Sequence, residues 1–449
     1  MCGILACYSD VGITEELLDN FLDKLDLLQH RGQDGFGIFF NNNTYIKKGL
    51  IEKENMLKNI KHFNNTKKCV LGHTRYITSG NKNNLSYQPI KAQCKFGNFS
   101  IIFNGNIPIE KYQYLFKKKI EVDTEMIIEF IKQESIKRNS FKDVLVNFLN
   151  IFDRAYSIVI NINDELYALR DKYGVKPLIY YYTLKEVYFT SEICIEENHN
   201  YNFKEVKNGE IIHVSNFLCK SIYNSLTKYN ASCIFEYIYF MNEKSCWNDV
   251  YVYDFRKRLG DLLAHNEKSK SILNNEKEYL VIGIPSSGIL SAKTYSKNLN
   301  LEYKQYIIKN KNINRTFILK NNFERNKAAK IKYLYNEKIK NRNIIIVDDS
   351  LVRGTTMRNL VKNLKLQGAL EIHIRISCPK IIDKCYYGID IPTKSELLIN
   401  KYNTPKGLLG FLECDSIEFI NIADFKTLIG NKYCTGCFDS DYKNKNLEF

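Results

Sequence analysis

The stretch Ile344-Ile345-Ile346-Val347-Asp348-Asp349-Ser350-Leu351-Val352-Arg353-Gly354-Thr355-Thr356 decides the fold of this chain. Four consecutive β-branched apolar residues predict a strand buried on both faces, as in a parallel sheet. Two carboxylates stand where that strand should end, and a short loop rich in glycine and hydroxyl groups follows. Beyond it Leu360, Val361 and Leu364 recur at helical spacing, and Gly368 supplies a stop. Strand, acidic pair, small polar loop and helix describe an α/β site at the carboxyl edge of a sheet. The loop N–H groups, the Thr355 and Thr356 hydroxyls and the helix N-terminus suit a phosphate monoester. Adjacent carboxylates are poor company for that phosphate alone. They suit ribose hydroxyls and a magnesium ion shared with a more distant diphosphate. No Gly-x-x-x-x-Gly-Lys precedes the loop, so it is not a Walker loop.

Upstream, Tyr279-Leu280-Val281-Ile282-Gly283-Ile284 predicts a second strand, ending at Pro285-Ser286-Ser287-Gly288 and followed by a helix. That makes a second site-forming turn on the same sheet edge. Longer helices alternate with apolar strands from 231 to 430, which marks one domain. Residues 2–230 read differently, as short strands with a few helices. Glu15 to Gln29 carries Leu17, Leu18, Phe21, Leu22, Leu25 and Leu28 on one face. Asp123 opens another helix, bearing Met126, Ile127, Phe130 and Ile131. A tail, 431–449, contains Cys434-Thr435-Gly436-Cys437.

The N-terminus is the second anchor. Met1-Cys2-Gly3-Ile4 exposes a thiol at the first position once the initiator Met is removed. A free N-terminal Cys carries nucleophile and base on one residue, because its α-amine titrates near roughly 7.7–8.0 and can take the thiol proton. Then come His30-Arg31-Gly32-Gln33-Asp34-Gly35, Gly72-His73-Thr74-Arg75-Tyr76-Ile77-Thr78-Ser79-Gly80, Asn104-Gly105-Asn106 and Asp123-Thr124-Glu125. Most read as polar turns, the Asn104 turn directly following an apolar strand at Ser100-Ile101-Ile102-Phe103.

In this order the motifs resemble the glutaminase domain of the N-terminal-nucleophile amidotransferases, and 344–356 resembles the signature of phosphoribosyltransferases that use 5-phosphoribosyl 1-diphosphate (PRPP). Both together resemble the glutamine phosphoribosylpyrophosphate amidotransferase family. That likeness extends through Arg170-Asp171-Lys172-Tyr173-Gly174-Val175-Lys176-Pro177-Leu178, Cys233-Ile234-Phe235-Glu236-Tyr237-Ile238-Tyr239-Phe240 and Tyr387-Gly388-Ile389-Asp390. The resemblance implies an α+β glutaminase, an αββα sandwich, followed by an α/β type I phosphoribosyltransferase domain with a mainly parallel sheet. It implies Cys2 as nucleophile and an oxyanion hole from the Asn104 side chain and the Gly105 N–H. Arg75 would grip the glutamine carboxylate and Asp123 its ammonium. Ser286, Ser287, Gly288, Asp348, Asp349, Ser350, Arg353, Gly354, Thr355 and Thr356 would bind PRPP, with Ser287, Asp348 and Asp349 around Mg2+. The products would be 5-phosphoribosylamine, glutamate and diphosphate, the first committed step of purine synthesis. Purine nucleotides are possible inhibitors, and relatives are commonly homotetramers, so a tetramer or dimer is expected.

Cys434 and Cys437 have the spacing at which two thiolates can share one metal centre. One branch of the family carries a [4Fe–4S] cluster, and its other ligand positions fall here on Cys233 and Cys385. Zinc is the alternative occupant. A structural role is implied, since neither half-reaction moves electrons.

The 449-residue length accommodates two domains with sizeable cores. No apolar run approaches what a bilayer requires, and no signal or transit segment precedes Cys2, so a cytoplasmic protein is expected. Thirteen cysteines without a secretory signal read as cytosolic thiols or ligands. The net charge of +15 lies on a chain rich in Lys throughout, with no basic stripe interleaved with aromatics, so nucleic acid is not an expected partner. Anionic substrates use part of that charge.

The chain also departs from the family. Lys309-Asn310-Lys311-Asn312-Ile313-Asn314-Arg315-Thr316-Phe317 lacks an Arg, a Tyr and a Gly of the usual Lys-Asn-Arg-Tyr-Val-Gly-Arg-Thr-Phe, within a loop expected from Lys309 to Ile318. Met241-Asn242-Glu243-Lys244-Ser245 replaces a common Arg-Pro-Asp-Ser, and Phe103 stands where a His is usual. These changes bear on loop closure, coupling and nucleotide feedback, and spare the named catalytic residues. Three rival functions are other amidotransferases with the same N-terminal Cys, a non-catalytic PRPP sensor, and an oxygen-responsive cluster protein. Val347-Asp348-Asp349-Ser350 separates the chain from the first, and the complete glutaminase set argues against the second.

Overall fold

The computed structural model describes residues 2–60, 66–76, 87–193, 202–225, 230–270, 273, 277–309, 333–389, 391 and 393–442. Among them, two antiparallel sheets form the first half. One has seven strands in the spatial order 204–205, 179–182, 186–190, 3–9, 69–75, 35–40 and 43–48. The other has six, in the order 218–224, 210–215, 165–170, 155–162, 97–106 and 90–94.

Strand Gly3–Ser9 shows why they stack. Ile4, Ala6 and Tyr8 point into a core shared with Ile102, Val159, Leu166 and Ala168 of the second sheet. Leu5 and Cys7 point the other way, onto Leu18, Phe21, Leu22 and Leu25 of helix Glu15–Leu27. Both faces are covered, so the strand is buried throughout and shows no polar alternation. Phe130, Ile131, Val144 and Phe148, from helices Asp123–Lys137 and Phe141–Ile151, cover the outer face of the second sheet. The result is the expected αββα sandwich. Each fully buried Leu or Phe contributes about 1.5–3 kcal/mol. Gly72 admits the first helix: a Cβ there would stand 2.9 Å from Leu25 and Phe21.

Two local expectations shift. The first helix stops at Leu27 rather than Gln29, because a single 3-10 turn, Gln29–Arg31, takes over and swings Arg31 inward. Thr14 caps its other end, accepting the Leu17 N–H at 3.1 Å. The segments containing Arg75 and Asn104 are also not turns. Cys69–Arg75 and Gly97–Asn106 are strands, with Asn104 opposite Ser157, and each delivers its polar residue at the end of a buried ladder.

The second half is a five-stranded parallel sheet in the order 302–303, 279–283, 343–348, 372–376 and 416–419. Helices Val252–Lys270, Gly288–Leu299 and Thr355–Leu366 pack on it. The first two meet closely at Gly260, where a Cβ would lie 2.5 Å from the Ser291 carbonyl oxygen. Strands Ile307–Lys309 and Tyr333–Tyr335 pair with each other. The expected loop from Lys309 to Ile318 lies outside the described residues beyond Lys309. Tyr433–Cys434 runs back to pair in parallel with Ser232–Cys233. No helix among the described residues is long and apolar enough to cross a membrane.

Candidate active site

The first site lies between the two sheets at the ends of strands 3–9, 69–75 and 97–106. The register Gly3↔Thr74 and Ile4↔His73 sets Cys2 beside Arg75, with His73 one layer deeper on the same side. The Cys2 nitrogen donates to Asn104 Oδ1 at 3.2 Å, and Sγ lies 3.9 Å from the Tyr76 carbonyl oxygen. Asn104 is 1% exposed, yet its Nδ2 has no hydrogen-bond partner among the described residues. A buried amide donor without an acceptor is costly, and it waits beside the thiol for one. Arg75 Nε is likewise buried and unpartnered, while the guanidinium stacks 5.3 Å from the Tyr87 ring centre. Gly105 could not carry a side chain, for a Cβ would meet the Ala155 carbonyl at 2.6 Å.

Charge is tuned here by burial and by opposed neighbours. Burial raises the Cys2 thiol, but the charge of His73, together with the N-terminal charge and the Tyr76 main chain, outweighs it and brings it to about 6. Asp123, at the start of its helix, is pushed up to about 6 by burial and by the neighbouring thiolate, against the Thr124 N–H and Arg75. Cys2, Arg75, Asn104 and Asp123 thus meet in one place. His73 and Arg31 fall within sequence motifs that by themselves point to no role for either. The alternation of His73 with Arg75 along one strand was the available signal.

The second site stands at the carboxyl edge of the parallel sheet. Gly283 pairs with Val347, so the turns after both strands emerge side by side. Gly288 makes this possible: a Cβ would lie 2.6 Å from the Val347 carbonyl oxygen. The Ser287 and Ser350 hydroxyls both donate to Asp349, whose carboxyl is nevertheless pushed up by burial. Asp348 Oδ1 accepts the Asp349 N–H at 3.0 Å. Gly354 has φ +74, left-handed backbone that favours glycine, and starts the helix whose first residues, Thr355 and Thr356, are exposed. Ser286 lies in the first turn. Arg353 points outward, 3.3 Å from Glu396. Main-chain N–H groups, hydroxyls and a helix N-terminus therefore share one open cradle with two carboxylates, able to take an anion and a cation together.

The cysteines form a third grouping. Cys233 and Cys434 sit opposite one another in their paired strands. The buried Cys437 thiol is raised by burial and by Cys385, Cys434 and Cys233. The twelve described cysteines are free thiols. No group of three or more His, Cys, Asp or Glu side chains among the described residues is arranged to hold a single metal ion.

A half-buried thiol beside a buried amide donor, joined to a phosphate-and-cation edge on a parallel sheet, defines a two-domain glutamine amidotransferase and phosphoribosyltransferase. Comparisons agree. The glutamine amidotransferase domain model matches residues 73–195, and the phosphoribosyl transferase domain model residues 257–385. The chain is 32% identical to the amidophosphoribosyltransferase of Methanocaldococcus jannaschii, over 98% of its own length and 97% of the relative's. It is 34% identical to that of Pyrococcus horikoshii, over 88% of this chain and 86% of the relative. A solved glutamine PRPP amidotransferase from B. subtilis, in complex with ADP and GMP, superposes with a TM-score of 0.83. It shares 27% identity over 98% of this chain and 97% of that one. The chain belongs to the amidophosphoribosyltransferase family, in which ammonia from glutamine is transferred to PRPP for purine synthesis.

Proposed function

We propose that Cys2 is the nucleophile of the glutamine half-reaction and that the Asp348–Thr356 edge holds PRPP for the second. The observation carrying this reading is the orphaned Asn104 Nδ2, buried beside a thiol drawn down to about 6. With Met1 removed, the Cys2 nitrogen held by Asn104 Oδ1 becomes a free amine and takes the thiol proton. The thiolate attacks the glutamine side-chain carbonyl, and Asn104 Nδ2 with the Gly105 N–H receives the oxyanion. The α-amine returns its proton to the leaving ammonia, and water then cleaves the thioester. Arg75 holds the substrate carboxylate and Asp123 its ammonium.

Ammonia attacks C1 of PRPP and displaces diphosphate, giving 5-phosphoribosylamine. Ser350, Arg353, Gly354, Thr355 and Thr356 cradle the 5′-phosphate, and Ser286, Ser287 and Gly288 the diphosphate. Ser287, Asp348 and Asp349 would be the oxygen donors for magnesium, which would supply charge neutralisation of the leaving group. We assign 2–230 to the glutaminase domain, 231–430 to the phosphoribosyltransferase domain and 431–449 to the tail.

Cys233, Cys385, Cys434 and Cys437 are assigned to a [4Fe–4S] cluster, which would tie the tail to the body of the protein. Supporting this, Cys233 and Cys434 sit opposite one another in paired strands, and Cys437 feels the charge of Cys233, Cys385 and Cys434. Iron and sulfide analysis of anaerobically purified protein tests it, with stoichiometric zinc as the opposing outcome. Purine nucleotides are assigned as inhibitors, in keeping with the ADP and GMP in the B. subtilis relative. The test of the whole reading is glutamate release with and without PRPP and magnesium. It should vanish in Cys2→Ala, while ammonia still yields 5-phosphoribosylamine in that variant.

A further inference from the structure

A buried ion-pair network that the chemistry above does not use joins the two halves. The Arg31 side chain is 0% exposed. Its Nη1 donates to Glu192 Oε2 at 2.7 Å, and its Nη2 to both oxygens of Glu236 at 3.1 and 2.9 Å. Its Nε donates to the main-chain carbonyl of Cys2 at 3.3 Å. One guanidinium therefore spans the nucleophile's own backbone and a carboxylate from beyond residue 231. Glu192 also accepts from the Asn242 N–H at 3.3 Å and lies 2.9 Å from His30 Nε2.

Glu236 opens a π-type turn, Glu236–Phe240. Such turns are rare and concentrate at functional positions. A second buried arginine grips the same turn. Arg256 donates from Nε to the Tyr237 carbonyl at 2.9 Å and from Nη2 to the Met241 carbonyl at 2.8 Å. Arg256 is also within electrostatic reach of Asp349. The hydrogen-bonded path to Cys2 thus runs from Arg256 through the π-type turn, Glu236 and Arg31 to the Cys2 carbonyl, and Asp349 acts on Arg256 through its charge. Buried ion pairs add little net stability compared with apolar residues of the same size. A network of this kind needs another reason to be there, and fixing the nucleophile's main chain supplies one.

We propose that Arg31 is a positioning residue, through which Glu236 of the phosphoribosyl half sets the main chain of Cys2 and transmits PRPP binding to the glutaminase. This rests on the function proposed above.

The test uses full-length, anaerobically prepared protein and the isosteric Glu236→Gln. Ammonia-dependent 5-phosphoribosylamine formation should stay within about twofold, which also reports an intact fold. PRPP stimulation of glutamine hydrolysis should fall by about tenfold, a typical coupling factor, with KM for glutamine little changed. Adding Arg31→Gln to Glu236→Gln should lower basal glutamine hydrolysis, since it also removes the Cys2 contact, but should cost no further fold-stimulation by PRPP, which passes through the Arg31–Glu236 contact. Glu192→Gln leaves the Arg31–Glu236 contact in place and should keep stimulation while lowering Tm. The proposal is overturned if Glu236→Gln keeps full stimulation, or if it loses the ammonia and glutamine reactions in equal proportion. If the unsubstituted protein makes 5-phosphoribosylamine from neither nitrogen donor, the proposed function has failed and takes this inference with it. If both donors work but PRPP never stimulates glutamine hydrolysis, this inference alone falls.

Discussion

At Cys2 the ionisable groups meet between two antiparallel sheets; at the second site Asp348 and the buried Asp349 stand at the carboxyl edge of a parallel one, beside an exposed helix start. Enclosure makes the groups answer one another. His73 pulls the Cys2 thiol down against burial, while burial and the thiolate push Asp123 up. The donors Asn104 Nδ2 and Arg75 Nε are fixed and unpartnered before any substrate arrives. The open edge works otherwise, with exposed Thr355 and Thr356 and a helix N-terminus that suit ligand phosphates and their cation. An enclosed site depends on long-range packing of strands, whereas an edge site is mostly written in one local turn.

Substitutions should separate the two kinds of site. Asn104→Ala should lower glutamine-dependent kcat by on the order of 10²–10³-fold, the usual cost of an oxyanion donor. Its ammonia-dependent rate should be unchanged, and comparable loss with both donors would show that the two sites are not separately built. Gly288→Ala should do the reverse. Forced against the Val347 carbonyl, it should cost about 1–3 kcal/mol of stability and weaken PRPP use with either donor, read by denaturant melts and KM for PRPP.

Asp123 and Glu192 set function against stability within the first half. Burial raises Asp123 to about 6, above its ordinary 3.8, so the folded chain holds that proton more tightly than the unfolded one. Its contribution to stability therefore falls as pH rises from about 4 through 6. Asp123→Asn should stabilise the fold at pH near 8 by on the order of 2 kcal/mol while impairing glutamine binding. Glu192 has the opposite sign. Burial works against its ionised form, but His30 and Arg31 hold it at about 2, below its ordinary 4.5. Its stabilisation is present above pH 4.5 and lost as pH falls through about 2, and Glu192→Gln should lower Tm at neutral pH. Thermal melts across pH check both signs. The smallest effect concerns the thiol. Iodoacetamide alkylation of Cys2 should reach half its maximal rate near pH 6, and His73→Ala should move that midpoint up by about one pH unit.

Much of this was legible in the chain. Ile344 to Asp348 is a strand, Thr355 to Leu366 a helix, and Gly368 ends it at φ +87, because period, polarity and glycine act within a few residues. The glutaminase motifs were legible as an ordered set. Their local form was not, for Arg75 and Asn104 lie at strand ends and not in turns. A polar residue ending a strand buried on both faces gives no alternation to read. Arg31 was least legible of all: nothing near it announces that its partners lie at 192 and 236.

The sequence by itself determined the two chemistries, the edge geometry of the phosphate cradle and the cysteine spacing of the tail, since these rest on residue type and short-range backbone preference. Only the tertiary structure decided that His73 lies beside the thiol, that Asn104 keeps a free donor there, and that one guanidinium binds Cys2 to Glu236. Those facts depend on which distant strands stack and on how deeply they exclude water. Burial is what turns a nearby charge into a shifted pKa, and it is a property of the packed molecule rather than of any segment.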